Sequence, residues 1–175
     1  MPRFKDIPRF ETPNYQVDVG WNYLGEQLEQ WKDGYGLELE PDFQRGHVWT
    51  QEQQIDFLEF RMMGGISGGD IFWNCPNWAL DPGTSPLQLV DGLQRITAVR
   101  GFIDSEIPIF GHYFNEFTDN FDWMRHRFRF HVNSLKTKTE VLRWYLALNN
   151  GGTIHTPEEI KRVTELLENC ENKKG

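Results

Sequence analysis

The 175-residue chain has only two cysteines, Cys75 and Cys170, and no CxxC pair, which argues against a disulfide framework. Its five histidines, His47, His112, His126, His131 and His155, are dispersed with no HxxxH or HExxH, so a zinc or other histidine-based metal site is not expected. No run of about 18 apolar residues exists and the opening decapeptide has no apolar signal core, so neither a membrane span nor an ordinary secretory leader is expected. These absences predict a cytoplasmic protein with reduced thiols and no membrane partner. Positive charge is also scarce: Lys plus Arg 18 against Asp plus Glu 26 gives a net charge of −8. Such a field repels phosphate backbones, so a polyanion site has to be a local patch. Internal repeats, low-complexity tracts and a GxSxG nucleophile motif are missing as well. Aromatic residues, in contrast, make up 14% of the chain, with 7 Trp and 13 Phe, which points to a well-filled interior in a single domain.

Residues 1–15 hold Pro2, Pro8 and Pro13 among charges and read as an extended arm; residues 16–175 read as one domain. Trp21, Leu24, Leu28 and Trp31 recur at helical spacing and predict a short amphipathic helix over 21–31. The segment 37–49, broken by Pro41 and Gly46, reads as loop or short strand. Thr50 with Gln53 has capping-box spacing and opens a helix that ends at Gly64 and Gly65. The following 64–69 stretch, GGISGG, is either a helix-to-strand turn or a backbone cradle for phosphate, though it lacks the Lys-Ser/Thr tail of a P-loop. Strands are predicted at 70–74 and 87–90, the second running through a tight polar turn at 91–95 into a helix. Arg127, Arg129 and His131 alternate with Phe128, Phe130 and Val132, the period of a strand with one apolar and one basic face. Thr137 with Glu140, and Thr156 with Pro157 and Glu159, start two further helices.

A strand that delivers Asp91-Gly92-Leu93-Gln94-Arg95 to a helix start gathers backbone N–H donors, a helix dipole and a guanidinium around one small volume suited to phosphate. Asp91 would hold Mg²⁺ or orient a nucleophile, and Arg95 would neutralise charge on phosphoryl oxygens. The competing reading has Asp91 capping the helix and Arg95 paired with a surface carboxylate. Gln44-Arg45 offers a second guanidinium, or is an exposed loop pair; Asn149, before Gly151 and Gly152, faces the same site or is a helix C-cap. Glu59, on the helix after Trp49, is a candidate general base. Between Arg125 and Arg143 six Lys or Arg stand against Glu140 alone, and Arg127, Arg129 and His131 are the candidate nucleic-acid contacts, the alternative being a solvated strand face.

Three segments in order resemble the N-terminal domain of GmrSD-type modification-dependent restriction endonucleases, of the ParB/sulfiredoxin superfamily, over about residues 37–165. Pro41-Asp42-Phe43-Gln44-Arg45 with Val48-Trp49 is similar to the family's P-x-[FY]-Q-R-x-x-x-W opening. Val90-Asp91-Gly92-Leu93-Gln94-Arg95-Ile96-Thr97 resembles its D-G-Q-Q-R-[LI]-T signature, with Leu93 in place of the first Gln, and Leu148-Asn149-Asn150-Gly151-Gly152 with Glu159 resembles its N-x-G-G…E close. The resemblance implies a ParB/sulfiredoxin-like mixed α/β fold, a small twisted sheet flanked by helices. It also implies a nucleotide pocket formed by Gln44, Arg45, Gly92, Gln94, Arg95, Thr97 and Asn149, with NTP, ATP or GTP, hydrolysed or used for phosphoryl transfer with Mg²⁺. Full-length relatives carry a His-rich nuclease domain that has no counterpart here, so DNA cleavage is not expected of this chain. The alternative is a non-catalytic module that senses nucleotide or modified DNA and works through a protein partner.

Overall fold

A computed structural model of the chain describes residues 15–44, 46, 48–78, 83–122, 124–149 and 157–172. Strand β1 (Tyr15–Gly20) leads through a 3-10 turn into helix α1 (Leu24–Tyr35), followed by α2 (Gln51–Met62), β2 (Asp70–Asn74), β3 (Gln88–Asp91) and α3 (Leu93–Ile103). The chain then passes through β4 (Arg127–Asn133) to α4 (Lys138–Asn149) and α5 (Pro157–Asn172). The four strands form one mixed sheet in the order β1-β4-β2-β3, antiparallel at β1/β4 and β2/β3 and parallel at β4/β2. The fold is the mixed α/β class expected.

Period-2 patterning decides which helices cover which face. Phe128, Phe130 and Val132 of β4 and Ile71 and Trp73 of β2 are buried on one side, where Leu24, Leu28 and Trp31 of α1 and Ile96, Val99 and Phe102 of α3 meet them. Trp31 stands edge-on to both Trp73, at 5.5 Å, and Phe130, at 4.9 Å. The opposite side has a second, smaller core in which Val141, Leu142, Trp144 and Tyr145 of α4 and Val163 of α5 pack with Phe43 and Val90. The same side carries Arg127, Arg129 and His131 of β4, Asp18 of β1 and Asp70 of β2.

Several sequence expectations need adjustment. The predicted helix over 21–31 begins as a 3-10 turn and continues to Tyr35, where Gly36 at φ +58° ends it. Tyr15 belongs to β1, a strand the proline-framed start of the chain conceals, and residues 1–14 of the predicted arm lie outside the described residues. The polar turn expected over 91–95 contracts to Gly92: Asp91 is still strand, and Leu93 is already helix. The capping boxes of Thr50 with Gln53 and of Thr137 with Glu140 form as read.

Gly92 has φ +122°, and a Cβ there would lie 2.5 Å from Ile71 Cδ1. Backbone conformation and contact both demand glycine. Gly92→Ala is expected to cost about 2–4 kcal/mol from strain and overpacking together, read as a lowered urea midpoint at unchanged m-value.

Candidate functional site

Sheet register brings the two sequence constellations onto one face. Asp91 lies opposite Phe72, and Phe72 opposite His131; two residues along, Asp70 lies opposite Arg129, and Arg129 opposite Asp18. Asp70 joins the two. Its Oδ1 is 2.6 Å from His131 Nε2, while its backbone carbonyl accepts a hydrogen bond from Arg95 Nη1 at 2.8 Å. The His131 ring stacks on Phe72 at 4.9 Å with planes 15° apart. Nothing in the spacing of the sequence marks Asp70; only the parallel β4/β2 pairing places it there.

At the corner, Arg95 Nη2 meets Asp91 Oδ2 at 2.5 Å, both side chains being largely buried. This is a third arrangement beside the two considered from sequence. Asp91 does not cap α3, whose N-cap is Gly92 with no side-chain cap, and Arg95 finds its carboxylate four residues back rather than at the surface. The first turn of α3 also carries no acidic residue, so its N–H groups keep their affinity for an anion. Thr97 Oγ1 donates to the Leu93 carbonyl within the helix. Leu93, which departs from the family signature, is buried in the main core, where an amide side chain would need a partner.

The two glutamines of the motifs latch two distant segments together. Gln94 Oε1 accepts from the Val48 and Trp49 N–H groups at 2.9 and 3.1 Å, and its Nε2 donates to the Gly46 carbonyl at 3.2 Å. Gln44 Nε2 donates to the carbonyls of Leu89 and Val90 at 3.1 and 2.6 Å. The opening loop is thereby fixed against the end of β3 and the start of α3. Arg45, Gly151 and Gly152 lie outside the described residues, as do the side chains of Asn149 and Glu159; the backbone of Asn149 closes α4. Glu59 is committed elsewhere: its carboxylate accepts from the N–H of Phe110, a residue at φ +48°.

The basic strand face is partly neutralised across strands. Arg129 makes a two-pronged contact with Asp18 at 2.8 and 3.0 Å, and Arg127 Nε lies 3.2 Å from the same carboxylate. Beyond them opens a cleft of about 670 Å³, bordered by Asp18 and Asp70 and by Arg61, Arg125, Arg127 and Arg129. The 64–69 stretch forms one wall as a helix-to-strand turn: the N–H groups of Met63, Gly64 and Gly65 end α2, and Arg61 Nη1 gathers the carbonyls of Gly65 and Ile66 at 2.9 Å. Those N–H groups are thus spent on the helix end rather than on a phosphate cradle.

Among the described residues no group of three or more His, Cys, Asp or Glu could hold a metal ion. The Asp91 carboxylate, the expected Mg²⁺ ligand, is paired with Arg95. No helix among them is long and apolar enough to cross a membrane.

In comparison with protein-family models, residues 24–165 match the one described as GmrSD restriction endonuclease, N-terminal domain. No curated protein and no solved structure matches.

Two predictions follow from the site's bonding. Gln94→Ala removes three hydrogen bonds to the opening loop and should speed hydrogen exchange at the Val48 and Trp49 amides while costing about 1–3 kcal/mol. Asp18 is held below the ordinary carboxylate range chiefly by its hydrogen bond from Arg129. A depressed carboxylate stabilises the fold above its unfolded pKa, and that stability is lost as pH falls through the folded value. Asp18→Asn should therefore flatten the acid limb of the urea midpoint against pH below about pH 4.

Proposed function

The chain belongs to the GmrSD restriction endonuclease N-terminal domain family, and from that premise we propose that it binds a nucleoside triphosphate at the β3–α3 corner and performs phosphoryl chemistry there, by hydrolysis or by transfer to an acceptor. The observation that carries the reading is the Gly92 corner. It presents the uncapped N-terminus of α3 beside the Arg95 guanidinium, with the opening loop that bears Arg45 latched alongside by Gln44 and Gln94. Helix N–H groups and a forked guanidinium are the donors that a triphosphate requires.

In this reading Arg95 exchanges Asp91 for the phosphates when nucleotide arrives. Arg45 is the second clamp and Asn149 positions the substrate. Asp91, once released by Arg95, would hold a Mg²⁺ bound with the triphosphate. Arg95 would neutralise charge on the phosphoryl oxygens. For the proton of the attacking hydroxyl, His131 oriented by Asp70 is better placed than Glu59. Asp70 bonds both His131 and Arg95, whereas Glu59 supports Phe110. Arg127 and Arg129 would take the phosphates of a nucleic-acid partner, in keeping with the restriction context of the family. One observation favours a second reading: the Asp91–Arg95 pair satisfies itself without a ligand, as suits a module that binds nucleotide, changes state and signals to a protein partner.

Phosphate release from ATP, GTP, CTP and UTP, with and without Mg²⁺, separates these readings. Metal-dependent release that drops about 100-fold or more in Arg95→Ala is expected of the enzyme. Arg95→Lys and thermal melts show whether the loss comes from unfolding around an unpaired Asp91. Nucleotide binding without turnover supports the sensor, and turnover indifferent to Arg95 overturns the pocket assignment.

A further inference from the structure

The arginine-bordered cleft shares wall residues with a neighbouring cavity. Met62 and His126 line it and also line a second cavity of about 450 Å³, whose walls include Phe102, Phe114, Phe117 and Phe121. The volume lies within the roughly 300–1,000 Å³ typical of small-molecule pockets. Phe117 is 42% exposed at this aromatic cavity. Asn115, Asn120, Asp119 and Asp122 add amide and carboxylate groups, Asp122 being also paired with Arg125 at 3.1 Å. At the shared wall His126 is more than nine-tenths buried, and its Nδ1 has no hydrogen-bond partner. Burial lowers the pKa of this ring.

A third feature belongs with these two. Ile66, in the glycine-rich turn that walls the cleft, is 90% exposed, and Met63 and Met124 beside the same cleft are 72% and 61% exposed. Folding alone gives no reason to hold three large apolar side chains in water beside four arginines. An apolar residue next to a phosphate-binding groove is the device by which proteins wedge apart stacked bases.

We propose that this two-chambered site takes one nucleotide unstacked from a DNA duplex. Its phosphates lie in the arginine cleft, Ile66 fills the space the base leaves, and the base enters the aromatic cavity. The four guanidiniums outnumber by one the carboxylates of Asp18, Asp70 and Asp122 beside them, a local cation excess in a chain of net charge −8, which fits a polyanion rather than a neutral ligand. Each guanidinium has five N–H donors, so Arg127 and Arg129, paired with Asp18, retain donors for phosphate, while buried Arg61 holds the turn through its backbone carbonyls. Phe faces accept any base by stacking, while amide and carboxylate oxygens accept hydrogen bonds from exocyclic amino groups. The carboxylates favour bases that carry an amino group on the exposed edge, cytosine and adenine above thymine.

The proposal rests on the nucleic-acid part of the preceding reading and is independent of turnover at Arg95. Its test uses a short duplex with a single 2-aminopurine opposite a mismatch, which lowers the cost of extrusion. Binding is followed by anisotropy of an end label and unstacking by 2-aminopurine emission. The wild-type chain should bind at low salt and raise the emission several-fold. Ile66→Ser, at a position too exposed to affect folding, should bind but lose most of the rise. Phe117→Ala should weaken binding by about fivefold to a hundredfold, with Phe117→Tyr restoring it, and Arg125→Ala should reduce the slope of log affinity against log salt by about 1. Duplex binding without an emission change, or with Ile66→Ser and Phe117→Ala indistinguishable from wild type, overturns the base pocket and leaves the nucleic-acid reading standing. No duplex binding at low salt overturns both.

Discussion

The hydrogen bonds of Gln44 and Gln94 are the constraint on which the candidate corner depends. Without them the segment from Pro41 to Trp49 would be a proline- and glycine-interrupted loop with little secondary structure to fix it. With them, one amide grips the carbonyls of β3 and the other grips the loop backbone from α3. Each glutamine spends its polar atoms on the other's segment, so the two motifs are one mechanical unit. This unit, together with the burial of Phe43, holds the opening loop in register with the β3–α3 corner.

Asp70 performs the corresponding service across the sheet. Its side chain orients His131, and its backbone carbonyl receives Arg95, so the basic strand and the β3–α3 corner share one residue. Acidic residues set the remaining balance. Asp18 offsets one of the two charges of Arg127 and Arg129, and the cleft beyond is positive by excess rather than by isolation. A chain of net charge −8 thus keeps a local cluster of cations. Salt is expected to weigh heavily on any ligand that competes for these pairs.

Much of this was legible in the sequence where the signal is local. Capping boxes at Thr50 and Thr137, strand alternation over 127–132, and the strand-turn-helix at Asp91 each need only near neighbours, and each forms as read. What the sequence conceals comes from long-range register. Strand β1 exists because residues 15–20 pair with β4 more than a hundred positions later, and the same pairing neutralises a face that looked strongly basic when counted along the chain. Leu93, in place of the signature's first Gln, has its side chain in the core. Arg95 was read as either free for phosphate or paired at the surface; the partner four residues back shares its helix corner.

The loop that carries the opening motif also changes what the sheet can join. Glu38 bridges to the outer side of β3, accepting from Leu89 and donating to Leu87, and Gln44 occupies the next carbonyls. A strand at the edge of a sheet ordinarily invites pairing with a neighbouring chain. Here that edge is already filled by the protein's own backbone and one amide side chain. Growth of the sheet by a second molecule is therefore closed on the side of Asp91, and crowding or self-association does not block the corner through β3.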